Sequence, residues 1–155
     1  MADQCIFCKI AKKEAPAFIV NEDEKHMAFL DVYPLVEGQA IVTTKAHHGG
    51  YGFDMPENDF KEMMAFAQKT AKRIDNGLGS ERCMQVLQGY AIDHVHTKLF
   101  PVMKVKERVV SEENYRKLMQ VLRQGWYSGV IISMSGKDRE SDEKLKALME
   151  RINGQ

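Results

Sequence analysis

His94-Val95-His96-Thr97-Lys98-Leu99-Phe100 is the stretch that decides how this chain is read. In an extended strand, side chains alternate between faces, so His94, His96 and Lys98 point one way and Val95, Thr97 and Leu99 the other. Three basic groups then share one surface of a strand that runs from His94 to Val102 and is closed by Pro101 and the charged residues 104–108. Taken alone, a histidine pair on a strand is more often a half-exposed polar face that carries no chemistry. Gln88-Gly89 lies just upstream, close enough to bring backbone N–H groups near the strand, and a glycine there permits the close approach an anionic ligand requires.

Working upstream, Met84–Gln88 reads as the preceding strand. Before it, Phe60, Met63, Met64, Ala67, Ala71 and Ile74 recur at helical spacing and predict a helix from about Pro56 to Asp75. Asp54 and Glu57 form a candidate capping box, and Asn76-Gly77 reads as the stop. Phe18–Val20, Met27–Leu30 and Ala40–Thr44 are short, rich in β-formers and separated by the turn-like residues 21–24 and 34–38, which predicts an antiparallel meander. Downstream, Ser111 opens a helix bearing Tyr115, Leu118, Met119 and Leu122, Gly129–Met134 reads as a strand, and Ser141 caps a helix bearing Leu145, Leu148, Met149 and Ile152. Strands, helix, strands, helix is the order of an α+β fold with helices packed on an antiparallel sheet.

With 155 residues, one core and one domain are expected. Lys and Arg number 22, as do Asp and Glu, and this balance argues against a general nucleic-acid binder while leaving room for one local phosphate site. No apolar run approaches the roughly 20 residues of a membrane span, and Met1 to Cys5 lacks a signal-peptide pattern, so a cytoplasmic protein with no membrane partner is expected. Three cysteines, two of them in Cys5-Ile6-Phe7-Cys8, favour a metal or free thiols over a disulfide. Cys83 reads as a small buried side chain, and His26, in a charged turn, as solvated.

The chain resembles the histidine triad family of nucleotide hydrolases and transferases, whose signature alternates three histidines with apolar residues. Beside residues 94–100, the resemblance is carried by Cys5-Ile6-Phe7-Cys8-Lys9-Ile10, Ala28-Phe29-Leu30-Asp31-Val32-Tyr33-Pro34, Gly38-Gln39-Ala40-Ile41-Val42 and Lys45-Ala46-His47. It covers residues 1–103 of a single 1–155 domain and leaves 104–155 as a C-terminal extension packed on it. It implies a five-stranded antiparallel sheet, a two-fold homodimer and a small-molecule nucleotide substrate. His96, in the middle position, is the implied nucleophile. An imidazole suits the task, because one ring nitrogen can attack phosphorus while the other donates to a carbonyl that fixes the tautomer. Asp31 is implied to accept from ribose hydroxyls, and Phe7, Ile10, Leu30 and Val32 to form the slot for the base, with simple core packing as the alternative for each. Gln88 and Gly89 are expected near the phosphate.

Two departures bear on the chemistry. Lys98 stands in the third histidine's position, where it can supply positive charge to phosphate oxygens as a second catalytic group. Residues 90–93 are too few for the loop that often precedes the triad, and Asp93 is expected to turn away from a phosphate. The resemblance also implies a structural zinc on Cys5, Cys8, His47 and His94, with His48 as the competitor to His47 and free thiols as the alternative to zinc. The functional readings are a hydrolase of phosphoanhydride or phosphoramidate bonds of a purine nucleotide, a nucleotidyl transferase or phosphorylase, and a nucleotide-binding protein without turnover.

Overall fold

The β-rich segments form one sheet in the computed structural model, which describes residues 4–89, 92–103, 136 and 138–154. The strands are β1 (Ile19–Glu22), β2 (His26–Leu30), β3 (Ala40–Thr44), β4 (Arg82–Gln88) and β5 (His96–Val102). They pair antiparallel throughout in the order β1-β2-β3-β5-β4, so the histidine strand is interior, between β3 and β4. The helices are α1 (Ile6–Ala11), α2 (Glu57–Leu78) and α3 (Asp142–Asn153). The expected α+β architecture with a five-stranded antiparallel sheet is the one observed. The expected helix after Ser111 and the strand Gly129–Met134 lie outside the described residues. Among the described residues, no helix is long and apolar enough to cross a membrane.

The sheet is covered on both faces, which is why every residue of β2 and β3 is buried. On one face Ala28, Leu30, Ala40, Val42 and Leu99 pack against α2 and α3. On the other, Met27, Phe29 and Ile41 pack against Phe7 and Ile10 of α1. Period-two alternation sends these two sets to opposite sides, and it also assigns His96 and Lys98, paired with Thr43 and Ile41, to the α1 side.

Three local expectations are corrected. The Asp54/Glu57 capping box does not form: Pro56 is the N-cap of α2 with no side-chain cap, and Asp54 closes a 3-10 turn over Gly52–Asp54. The helix also runs through Asn76-Gly77 to Leu78 and ends at Gly79 in the left-handed conformation, φ 71°. Gly77 serves packing rather than termination, since a Cβ there would lie 2.6 Å from the Ile152 Cα of α3. Lastly, His26 is only 4% exposed. It stacks on Phe66 of α2 at a centroid distance of 5.2 Å, and its Nδ1 donates to Asp23 at 3.0 Å. The buried stripe of α2 accordingly includes Phe66 and Thr70 along with Met63, Ala67 and Ile74. Ser141 caps α3 as expected, accepting from Lys144 N at 3.3 Å.

Gly77→Leu is expected to lower stability by about 1–3 kcal/mol, because overpacking drives α3 from α2. Exposed Asn76→Ala should stay within about 0.5 kcal/mol of the parent. Urea unfolding midpoints measure both, and an unchanged midpoint for Gly77→Leu would mean that α3 does not sit this close.

Candidate active site and metal cluster

Cys5 stands at the N-cap of α1 and Cys8 lies one turn on, so the short helix turns both thiols to the same side. His47 follows β3 and His94 precedes β5, and the pairing of these strands brings both imidazoles to that side. One ligand atom from each of the four residues lies within 4.8 Å of the others. Cys5 Sγ is 3.3 Å from His94 Nδ1, Cys8 Sγ is 3.3 Å from His47 Nδ1, and Cys8 Sγ is 3.6 Å from His94 Nδ1. Zinc bonds of about 2.3 Å to sulfur and about 2.0 Å to nitrogen, at tetrahedral angles, separate sulfur from nitrogen by about 3.5 Å. The donor set and its spacing therefore fit a tetrahedral metal. His47, and not His48, belongs to this cluster; the His48 carbonyl instead accepts from Val95 N at 3.1 Å.

His94 is fully buried, and its Nε2 donates to the Thr44 carbonyl at 2.9 Å, which leaves the Nδ1 lone pair directed at the thiols. Burial pushes its pKa down to about 4, with the hydrogen bond to Thr44 opposing the shift, so the ring is neutral and able to ligate. Its own carbonyl accepts from His96 Nδ1 at 2.7 Å. A carbonyl can only accept, so His96 Nδ1 carries the proton and Nε2 carries the lone pair. Burial also lowers the His96 pKa, and the Lys98 charge adds to that effect while the His94 carbonyl and Asp31 oppose it. The Phe7 ring meets both imidazoles edge-on, with centroids 5.7 Å from His94 and 5.2 Å from His96.

Lys98 shares the sheet face of His96, and its ammonium donates to Asp31 Oδ2 at 2.9 Å in a pair whose side chains are 9% and 5% exposed. Asp31 Oδ2 also accepts from Gln39 Nε2 at 2.8 Å, and Oδ1 accepts from Tyr33 N at 3.0 Å. Of the residues expected to form the base slot, Phe7 and Ile10 pack on the His96 side. Leu30 does not: it belongs to the core under α2, on the opposite sheet face, because it is one residue out of phase with Phe29. Val32, at the end of β2, packs against that same core. Phe29 and Ile41 take the place of Leu30 beside Phe7, and the alternation argument used on β5 would have found them on β2 and β3. Gln39 was missed as well, for its part depends on Asp31 being near.

Gln88 ends β4 opposite His96. A Cβ on Gly89 would lie 1.8 Å from the Gly50 carbonyl oxygen, so this glycine is demanded by the chain segment after His48. Asp93 is tied to the same segment, accepting from Gly50 N at 2.7 Å. Cys83 lies apart from the cluster, half-buried, its thiol 3.3 Å from Asp75 Oδ1 and pushed by burial up to about 12.

Residues 12–126 match the HIT domain family. An adenosine 5'-monophosphoramidase of Saccharomyces cerevisiae is 34% identical over 109 residues, which are 68% of this chain and 67% of the yeast protein. A Hit-like protein of Bartonella henselae shares the fold, with a TM-score of 0.72, 18% identity and coverage of 98% of this chain and 96% of that one. A zinc-bound histidine triad family protein of Mycobacterium smegmatis superposes with a TM-score of 0.57 at 26% identity, covering 80% of this chain and 96% of its own.

The buried Lys98–Asp31 pair makes a stability prediction. Asp31→Leu, which removes the carboxylate beside the buried ammonium, should cost about 3–5 kcal/mol, and Asp31→Leu with Lys98→Met should cost less than Asp31→Leu alone. Denaturant unfolding compares the two, and a larger loss in the double variant would show that the charges do not compensate each other.

Proposed function

The chain belongs to the HIT domain family, and on that premise we propose that it is a nucleotide hydrolase that cleaves a phosphoanhydride or phosphoramidate bond of an adenosine nucleotide, with His96 as nucleophile. The observation that carries this reading is the 2.7 Å hydrogen bond from His96 Nδ1 to the His94 carbonyl, which leaves Nε2 as an unprotonated nucleophile. In the first step Nε2 forms a bond to phosphorus, the bond from phosphorus to the leaving group breaks, and the leaving group departs with the electron pair and takes a proton from water. Water then attacks the nucleotidyl-histidine, giving up a proton to the hydroxide left by the first step, the phosphorus–nitrogen bond breaks with its electron pair returning to Nε2, and the nucleoside monophosphate leaves. Lys98 is the second catalytic group, its ammonium adding positive potential on the face where phosphate charge develops. Gln88 and Gly89 border the phosphate end, Asp31 receives the sugar hydroxyls, and Phe7 and Ile10, with Phe29 and Ile41, hold the base from the α1 side.

A structural zinc on Cys5, Cys8, His47 and His94 is part of the proposal, supported by the donor spacing and by the zinc-bound relative. Its chemistry there is to tie α1 to the two strand ends. The same reading holds residues 1–155 as one domain with 104–155 as an extension, in a cytoplasmic homodimer. Pairing across the edge strand β4 would cover Met84, which is half exposed. The engagement of Lys98 by Asp31 favours one second reading, a nucleotide-binding protein without turnover.

Incubation with adenosine 5'-phosphoramidate should release AMP, and His96→Ala should lower the rate by at least about 1000-fold, as expected for loss of a nucleophile. AMP bound without turnover by the parent protein would install the second reading. The purified protein should carry one zinc per chain by elemental analysis, and Cys8→Ser should lose it together with thermal stability and AMP release, since the His94 ring and the carbonyl that orients His96 belong to one residue. Full zinc content in Cys8→Ser would remove that cysteine from the site.

A further inference from the structure

Gln39 lies outside the charged and histidine motifs of the chain and is nonetheless only 1% exposed. Its backbone closes the β2–β3 connection, with the N–H donating to the Val36 carbonyl at 3.1 Å and the carbonyl accepting from Asp31 N at 2.9 Å. Its side-chain Oε1 accepts from Leu35 N at 2.7 Å. A backbone N–H can only donate, so the amide is oriented with its NH2 group toward Asp31, where Nε2 donates to Oδ2 at 2.8 Å. Lys98 Nζ reaches the same oxygen from β5 at 2.9 Å, and Tyr33 N holds Oδ1 at 3.0 Å. The carboxylate is thus fixed from three directions by groups belonging to three segments of chain.

This arrangement has a chemical consequence for a sugar. Lysine ammonium and the NH2 face of Gln39 are donors only, so of these three side chains the one that can accept from a hydroxyl is the Asp31 carboxylate. A carboxylate held in one rotamer, with its charge compensated by a buried ammonium, recognises a hydroxyl at little cost in ordering and rejects an analogue that lacks it. We propose that Gln39 and Lys98 are positioning residues that clamp Asp31 and thereby make the site selective for ribonucleotides over 2'-deoxyribonucleotides. The inference rests on the reading of Asp31 as the sugar-binding carboxylate. The clamp is a second task for Lys98, beside the positive potential it lends to the His96 face, and it assigns a function to Gln39.

The test is the ratio of dissociation constants for dAMP and AMP, measured by titration calorimetry on the full chain without any need for turnover. The parent protein should prefer AMP by at least about tenfold, the scale of one hydrogen bond to a charged group. Gln39→Leu and Lys98→Met should each bring the ratio to within about threefold by weakening AMP far more than dAMP. Lys98→Met takes the ammonium from beside a buried carboxylate, so Asp31→Asn with Lys98→Met is the companion that removes both charges, and it should lose the preference likewise. A merely structural role would weaken both nucleotides by the same factor, and that outcome in Gln39→Leu or the double variant overturns the clamp while the nucleotide site stands. Equal affinity of the parent for AMP and dAMP overturns it too, and failure to bind either nucleotide overturns the sugar-site reading along with it.

Discussion

His94 is held at three points, and the site takes its shape from that restraint. Its Nε2 donates to the Thr44 carbonyl, its Nδ1 faces the sulfurs of Cys5 and Cys8, and its own carbonyl receives the proton of His96 Nδ1. Each bond removes a freedom that the next one needs removed. With the ring anchored to β3, the lone pair has one direction in which to point; with the main chain anchored, the neighbouring imidazole has one tautomer. Thr43 adds to this by donating its hydroxyl to the Val95 carbonyl at 2.6 Å, so the approach to β5 is fixed residue by residue. The Cys/His cluster and the His96 ring are therefore two ends of a single short restraint.

The opposite end of the same sheet face is organised by charge. Lys98 and Asp31 are 67 residues apart in sequence and both are buried. Either alone would suffer several kcal/mol of desolvation, which only a partner at hydrogen-bond distance offsets. Gln39 joins them because the β2–β3 connection returns its side chain to the carboxylate that ends β2. Between the two ends lie Phe7, Phe29 and Ile41, an apolar floor with a cluster of titratable groups at one edge and an ion pair at the other.

The legible parts of the fold were those set by local periodicity. The five strands, α2 and α3 all follow from spacing within single segments, and the cap at Ser141 from a hydroxyl preceding a helical run. The misreadings share one cause. Asn76-Gly77 looks like a helix stop, but α3 packs there and requires the missing Cβ. His26 sits among charged residues, yet Phe66 of α2 covers it. Leu30 lies beside Asp31 in sequence, and alternation sends it to the other face of the sheet. In each case adjacency along the chain differed from adjacency in space.

The sequence by itself determined the class of the fold, the face shared by His96 and Lys98, and the four residues of the metal cluster as residue types at family positions. Alternation on a strand is a consequence of covalent geometry over a few residues, so it can be read without the rest of the molecule. Only the tertiary structure decided that Lys98 spends a hydrogen bond on Asp31 and that Gln39 supports it. Those facts depend on distances of about 3 Å between chain segments whose separation is set by the pairing of β2, β3 and β5 and by the packing of α1 upon them, and no local pattern encodes such distances.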